Sequence, residues 1–118
     1  MLIYVAGPYR NASAAVVREN VARAERASAE LIRMDHEVIC PHSMTHGWER
    51  FDIPNGAFLR NGLAQLARCD AVVLVGAWWL SEGSKEEVAL ANELGIPVFE
   101  GVEGLSVGKA MMDVERWR

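Results

Sequence analysis

Ser81-Glu82-Gly83-Ser84 stands directly before a segment of helical periodicity, and a tetrapeptide of this kind is suited to holding an anion. Backbone N–H groups at a helix start are free and partly positive, a glycine lets a ligand come close, and two hydroxyls add donors. The same residues also read as an ordinary N-cap. Gly7-Pro8-Tyr9-Arg10, after the first apolar run, is a second candidate, with Arg10 able to grip a phosphate unless it is merely solvated. Glu86 and Glu87 fall in the first turn of the helix that Ser84 opens, where carboxylates offset the macrodipole. Val88, Ala89 and Ala91 make that helix partly buried, so one of the two glutamates should face inward. A carboxylate there, beside Tyr4 and Asp70, has the makings of a nucleophile. Tyr4 and Asp70 have plainer readings too, as a core tyrosine and a turn acid.

His42 and His46 are four apart, a spacing that binds metal when a helix presents it. Pro41 before them and Gly47 after them speak against a helix, and two ligands fall short of a metal site. Metal binding by the pair is therefore not expected. Trp48, in the same stretch, offers a face on which a base could stack or packs on its own domain. His42 and Trp48 therefore join Gly7, Pro8, Tyr9, Arg10, Ser81, Gly83 and Ser84 as candidate ligand-binding residues. Trp78-Trp79 is placed to cover a site or to form an interface.

Four short apolar runs must position these groups: Leu2–Ala6, Glu37–Cys40, Ala71–Val75 and Ile96–Phe99. They are continuous in hydrophobicity, as strands covered on both faces are. Between them lie helical patterns. Asn11 or Ser13 caps the first, whose stripe is Val17, Val21, Ala24, Ser28 and Leu31. Asn55–Arg68 is the second, although Asn61-Gly62 inside it is a turn dipeptide. The third runs from about Ser84 to Leu94 and stops at Gly95. Val107–Arg118 reads as a last helix, and Pro41–Pro54 as a long irregular loop. Such alternation predicts a doubly wound parallel α/β sheet in the order 2-1-3-4, with room for a fifth edge strand. Ligands of these sheets bind outside the carboxyl ends of the strands, which singles out the loops Gly7–Asn11, Pro41–Pro54 and Gly76–Ser84.

The totals agree with one domain over residues 1–118. The chain is 51% hydrophobic and 24% charged, enough for a packed core. Its net charge of -4 argues against binding long nucleic acid, but a mononucleotide needs only a donor or two. Cys40 and Cys69 show no CxxC spacing and read as buried reduced thiols. Neither a signal peptide nor a membrane span is legible, so a cytoplasmic protein is expected. At this size a dimer interface would add useful burial.

Taken in order, these segments resemble the nucleoside 2-deoxyribosyltransferase superfamily, and most closely its small DUF4406-type branch of 2-deoxyribosyltransferase-like proteins. The matching residues are Ile3-Tyr4-Val5-Ala6-Gly7-Pro8-Tyr9, Cys69-Asp70-Ala71-Val72-Val73-Leu74, Ser81-x-Gly83-Ser84-x-x-Glu87-Val88-Ala89-x-Ala91 and Leu94-Gly95-Ile96-Pro97-Val98. The resemblance implies a flavodoxin-like fold, a homodimer or higher homo-oligomer, and cleavage of the N-glycosidic bond of a 2′-deoxynucleoside or its monophosphate with no cofactor or metal required. It assigns attack on the anomeric carbon to Glu87, through a covalent deoxyribosyl-enzyme that water or an acceptor base resolves. Tyr4 would orient and activate Glu87, and Asp70 would contact the sugar or base. Serines of the Ser81–Ser84 loop and Arg10 would hold a 5′-phosphate. Members usually carry a further acid just before that loop, thought to protonate the leaving base. Here the stretch is Gly76-Ala77-Trp78-Trp79-Leu80, without a carboxylate.

Overall fold

The computed structural model describes residues 1–116, with positions 55 and 109–116 described in backbone only. Strands β1 (Leu2–Ala6), β2 (Glu37–Ile39), β3 (Ala71–Leu74) and β4 (Val98–Glu100) form one all-parallel sheet in the order β2-β1-β3-β4. Tyr4 stands level with Ile39 on one side and Val72 on the other. The expected strand order is observed. No fifth strand occurs among the described residues, because Gly101 leads directly from β4 into a helix.

Among the described residues five α-helices complete the fold: α1 (Ala14–Arg33), α2 (Pro41–Met44), α3 (Asn55–Leu66), α4 (Glu82–Leu94) and α5 (Gly101–Arg116). Ser13 is the cap of α1, its Oγ accepting from Val16 N at 3.4 Å, while Asn11 Oδ1 accepts from Ser13 N at 2.9 Å. The buried stripe of α1 is Asn20, Val21, Ala24, Ser28 and Leu31. Val17, expected in that stripe, is only half-buried, and Asn20 takes the inward place beside it. The segment 41–54 is less irregular than its sequence suggests, since α2 and a 3₁₀ turn at Trp48–Phe51 lie within it. The last helix begins at Gly101 rather than Val107, and residues 117–118 of the expected tail lie outside the described residues.

Strand alternation divides the core into two clusters. Ile3, Val5, Ala71 and Val73 meet Ala24, Leu31 and Leu105 on the face covered by α1 and α5. Tyr4, Ala6, Val72 and Leu74 meet Leu66 and Ala91 on the face covered by α3 and α4. Truncating Leu31 or Leu66, both fully buried, to alanine would cost about 2–5 kcal/mol. Cys40 and Cys69 are buried free thiols. Among the described residues no helix is long and apolar enough to cross a membrane.

Candidate functional site

A cavity of about 610 Å³ opens at the carboxyl ends of β1, β2 and β3, in the size range of small-molecule sites. Its walls come from the three loops that the topology singled out, closed on one side by Phe58, Leu59, Asn61 and Gly62 of α3. Gly7 follows β1 with no room for a side chain, since a Cβ there would lie 2.6 Å from Val75 O. The strand ends therefore stay close together beneath the cavity.

Tyr4 and Glu87 meet at its base. Tyr4 rises from β1 with 1% of its surface exposed, and its hydroxyl forms a hydrogen-bonding pair with the Glu87 carboxylate from the second turn of α4. Burial raises the Glu87 pKa above the usual carboxylate value, while the Tyr4 hydroxyl and the charge of His42 work against that rise. Burial, and then the Glu87 charge, raise the Tyr4 pKa strongly, so the phenol stays protonated and acts as donor. Helix register makes the choice between neighbours. Adjacent positions differ by about 100°, so Glu87 enters the cavity while Glu86 is exposed. Glu82 points outward: its side chain is 86% exposed and accepts from Lys85 Nζ at 3.1 Å.

The head of α4 is a cap with something left over. Ser81 Oγ accepts from Ser84 N at 3.2 Å, the ordinary N-cap bond. Ser84 Oγ, however, is buried on the cavity wall without a hydrogen-bond partner. Buried hydroxyls are nearly always paired, so this one is suited to a ligand. Arg10 also lines the cavity, its guanidinium 5.7 Å from the Phe58 ring centroid.

His42 fixes the loop after β1. Its Nε2 donates to Gly7 O at 3.1 Å and Pro8 O at 3.0 Å, so that nitrogen carries the proton. Burial by itself would lower the His42 pKa, but the neighbouring Cys40 thiol, the Pro8 carbonyl and the Glu87 charge together raise it. Burial likewise pushes Cys40 up, and His42, Ser28 and Ser43 outweigh it, bringing the thiol to about 7. His46 takes a different partner, its Nδ1 lying 3.0 Å from the Tyr9 hydroxyl, so the two histidines do not converge. Tyr9, Arg10 and Asn11 line both the main cavity and a recess of about 530 Å³ beside His46 and Glu49.

The structure thus brings together Tyr4, Gly7, Pro8, Tyr9, Arg10, His42, Ser81, Gly83, Ser84 and Glu87. Two expected residues are elsewhere. Asp70 precedes β3 and so stands at the amino end of a parallel sheet, where its Oδ2 accepts from Leu2 N at 2.7 Å. It does not line the cavity, because the strand it introduces runs away from it. Trp48 lies on the 3₁₀ turn, 45% exposed and outside the cavity lining. Of the tryptophan pair, Trp78 packs on the core, Trp79 is exposed, and the following Leu80 reaches the cavity.

One residue was hidden in the sequence. Asn61-Gly62 does not break α3, and Gly62 is buried against the Tyr4–Glu87 pair. A glycine costs about 1 kcal/mol in a helix interior, so its presence there was itself a signal.

With this geometry in view, residues 1–100 match the family described as a domain of unknown function, DUF7768. The chain belongs to the DUF7768 family. That match does not extend to the DUF4406-type branch that the motifs resemble. No curated protein matches the chain. Among solved structures it is similar to a 2-deoxyribosyltransferase from the psychrotolerant bacterium Bacillus psychrosaccharolyticus, at 22% identity over 85% of this chain and 71% of that one, with a TM-score of 0.58. The DUF7768 chain shares the fold of that transferase, an α/β sheet of the flavodoxin-like kind.

Proposed function

We propose that this protein cleaves the N-glycosidic bond of a 2′-deoxynucleoside or its 5′-monophosphate, with Glu87 as nucleophile. The observation that carries the reading is the half-buried Glu87 carboxylate, paired with Tyr4 at the base of a cavity whose wall carries an unpartnered Ser84 hydroxyl. A Glu87 oxygen attacks the anomeric carbon, and the carbon–nitrogen bond breaks with its electron pair passing to the base. The base takes a proton from solvent at the cavity mouth, since the stretch 76–80 has no carboxylate and Glu82 faces outward. Water or a second base then attacks the same carbon and loses a proton to solvent, and the carbon–oxygen bond breaks with its electron pair returning to Glu87. Tyr4 holds the carboxylate in line by hydrogen bonding throughout. The amides at the head of α4, Ser84 Oγ and Arg10 receive a 5′-phosphate.

Chromatography of nucleosides and deoxynucleotides after incubation with the pure protein tests this directly. Release of free base with a matching deoxyribose species is expected, faster for the monophosphates. The missing acid favours a second reading, a module that binds the same nucleotides without turning them over. Binding of the panel with every glycosidic bond intact would establish that reading and end the first.

A further inference from the structure

An ideal Cβ built on Gly62 would lie 2.6 Å from the Tyr4 hydroxyl oxygen and 3.8 Å from the ring carbon that bears it, with Glu87 Oε2 at 3.9 Å. The first contact is too short for any real side chain, whereas the other two are ordinary van der Waals distances. Nothing nearby gives way easily. The Tyr4 hydroxyl ends a rigid ring with 1% of its surface exposed, wedged in the cluster that contains Leu66 and Leu74. Close-packed interiors transmit such a push instead of absorbing it. Gly62 itself is buried within an unbroken α3, a position where glycine is otherwise a poor choice.

We infer that Gly62 is a positioning residue for the Tyr4–Glu87 pair: the side chain it lacks is the volume in which the Tyr4 hydroxyl sits while it meets the carboxylate. The catalytic meaning of this inference rests on the reading of Glu87 as nucleophile, but the geometry does not. The titratable groups that face Glu87 are Tyr4 from β1 and His42 from α2. Displacing the Tyr4 hydroxyl removes the hydrogen bond that favours the charged carboxylate and leaves burial less opposed.

A double-mutant cycle tests the inference without needing a substrate. Gly62→Ala should lower Tm in the wild type. In a Tyr4→Phe background the same change should raise it, because the clash is gone and alanine is the better helix former. A carbon-13 NMR titration of the Glu87 carboxyl supplies the readout that a merely structural role would not move. Gly62→Ala should shift the midpoint upward as Tyr4→Phe does, and the double variant should shift it no further. Where turnover is measurable, Gly62→Ala should lower kcat and leave KM nearly unchanged. Equal losses of Tm in both backgrounds, or an unmoved Glu87 midpoint, would overturn the inference. If Gly62→Ala alone does not fold, Tyr4→Phe with Gly62→Ala should, and its failure to fold would also overturn it. A wild type without glycosidase activity would count against the function proposed above while leaving both readouts intact.

Discussion

Asp70 and Glu87 are two carboxylates at opposite ends of one sheet, and they behave differently. At the amino end, Asp70 is exposed and accepts from Leu2 N, tying the start of β3 to the start of β1. At the carboxyl end, Glu87 is drawn into a cavity, where burial raises its pKa and a buried phenol answers it. A parallel sheet makes its two ends unequal: strands enter at one and deliver their loops at the other. The amino end spends its charge on structure, and the carboxyl end holds charge where structure alone does not want it.

Removing each carboxylate should expose the contrast. Glu87→Ala should lower turnover by about a thousandfold or more while ligand binding, followed by calorimetry, persists. Glu86→Ala, on the solvent side of the same turn, should change turnover little. Tyr4→Phe comes next, with kcat lower by about tenfold to a hundredfold. Its acid limb should move to higher pH, because the lost hydrogen bond favoured the charged carboxylate that attacks. A pH–rate profile identical to the wild type would separate Tyr4 from the chemistry.

A smaller effect appears in stability. The folded Glu87 pKa lies above its unfolded value, so its contribution is fully present below the ordinary glutamate pKa and is lost as pH rises through the folded one. Glu87→Gln mimics the protonated form. It should therefore melt higher than the wild type at pH 7 to 8, and the gap should close as pH falls to about 4. Thermal melts across that range check the sign. Smallest is Asp70→Ala, which should cost about 1 kcal/mol in a denaturant melt and leave turnover unchanged. A large loss of turnover in that variant would erase the contrast between the two ends.

Much of this arrangement was legible before any coordinates. Continuous apolar runs such as Leu2–Ala6 and Ala71–Val75 fixed the strands, and their alternation with helical stripes fixed a parallel sheet. The residues alone left Glu86 and Glu87 both open, and it was the resemblance to the family pattern that singled out Glu87. Asp70 was grouped with the site although its place directly before Ala71–Val75 already set it at the amino end of a strand, away from the carboxyl ends where ligands bind. α2 escaped because four residues are too few to show a helical period. Gly62 read as a turn because the reason for a glycine there lies across the core, in a tyrosine fifty-eight residues earlier. Local composition carries propensity, but it does not carry the identity of a neighbour brought in by topology.

The central place of β1 has a consequence for how the chain is made. That strand is paired along one edge with a strand at residues 37–39 and along the other with one at 71–74. Until the second of these emerges, β1 keeps an open apolar edge of the kind that invites aggregation. Contacts so distant in sequence are slow to form, so the nascent chain waits with its middle strand exposed. Tyr4 and its partner on α4 stand eighty-three residues apart in the chain. Assembly of that pair therefore marks a late event in folding, and a fluorescent nucleotide that reports the cavity would also report the docking of α4 on the sheet.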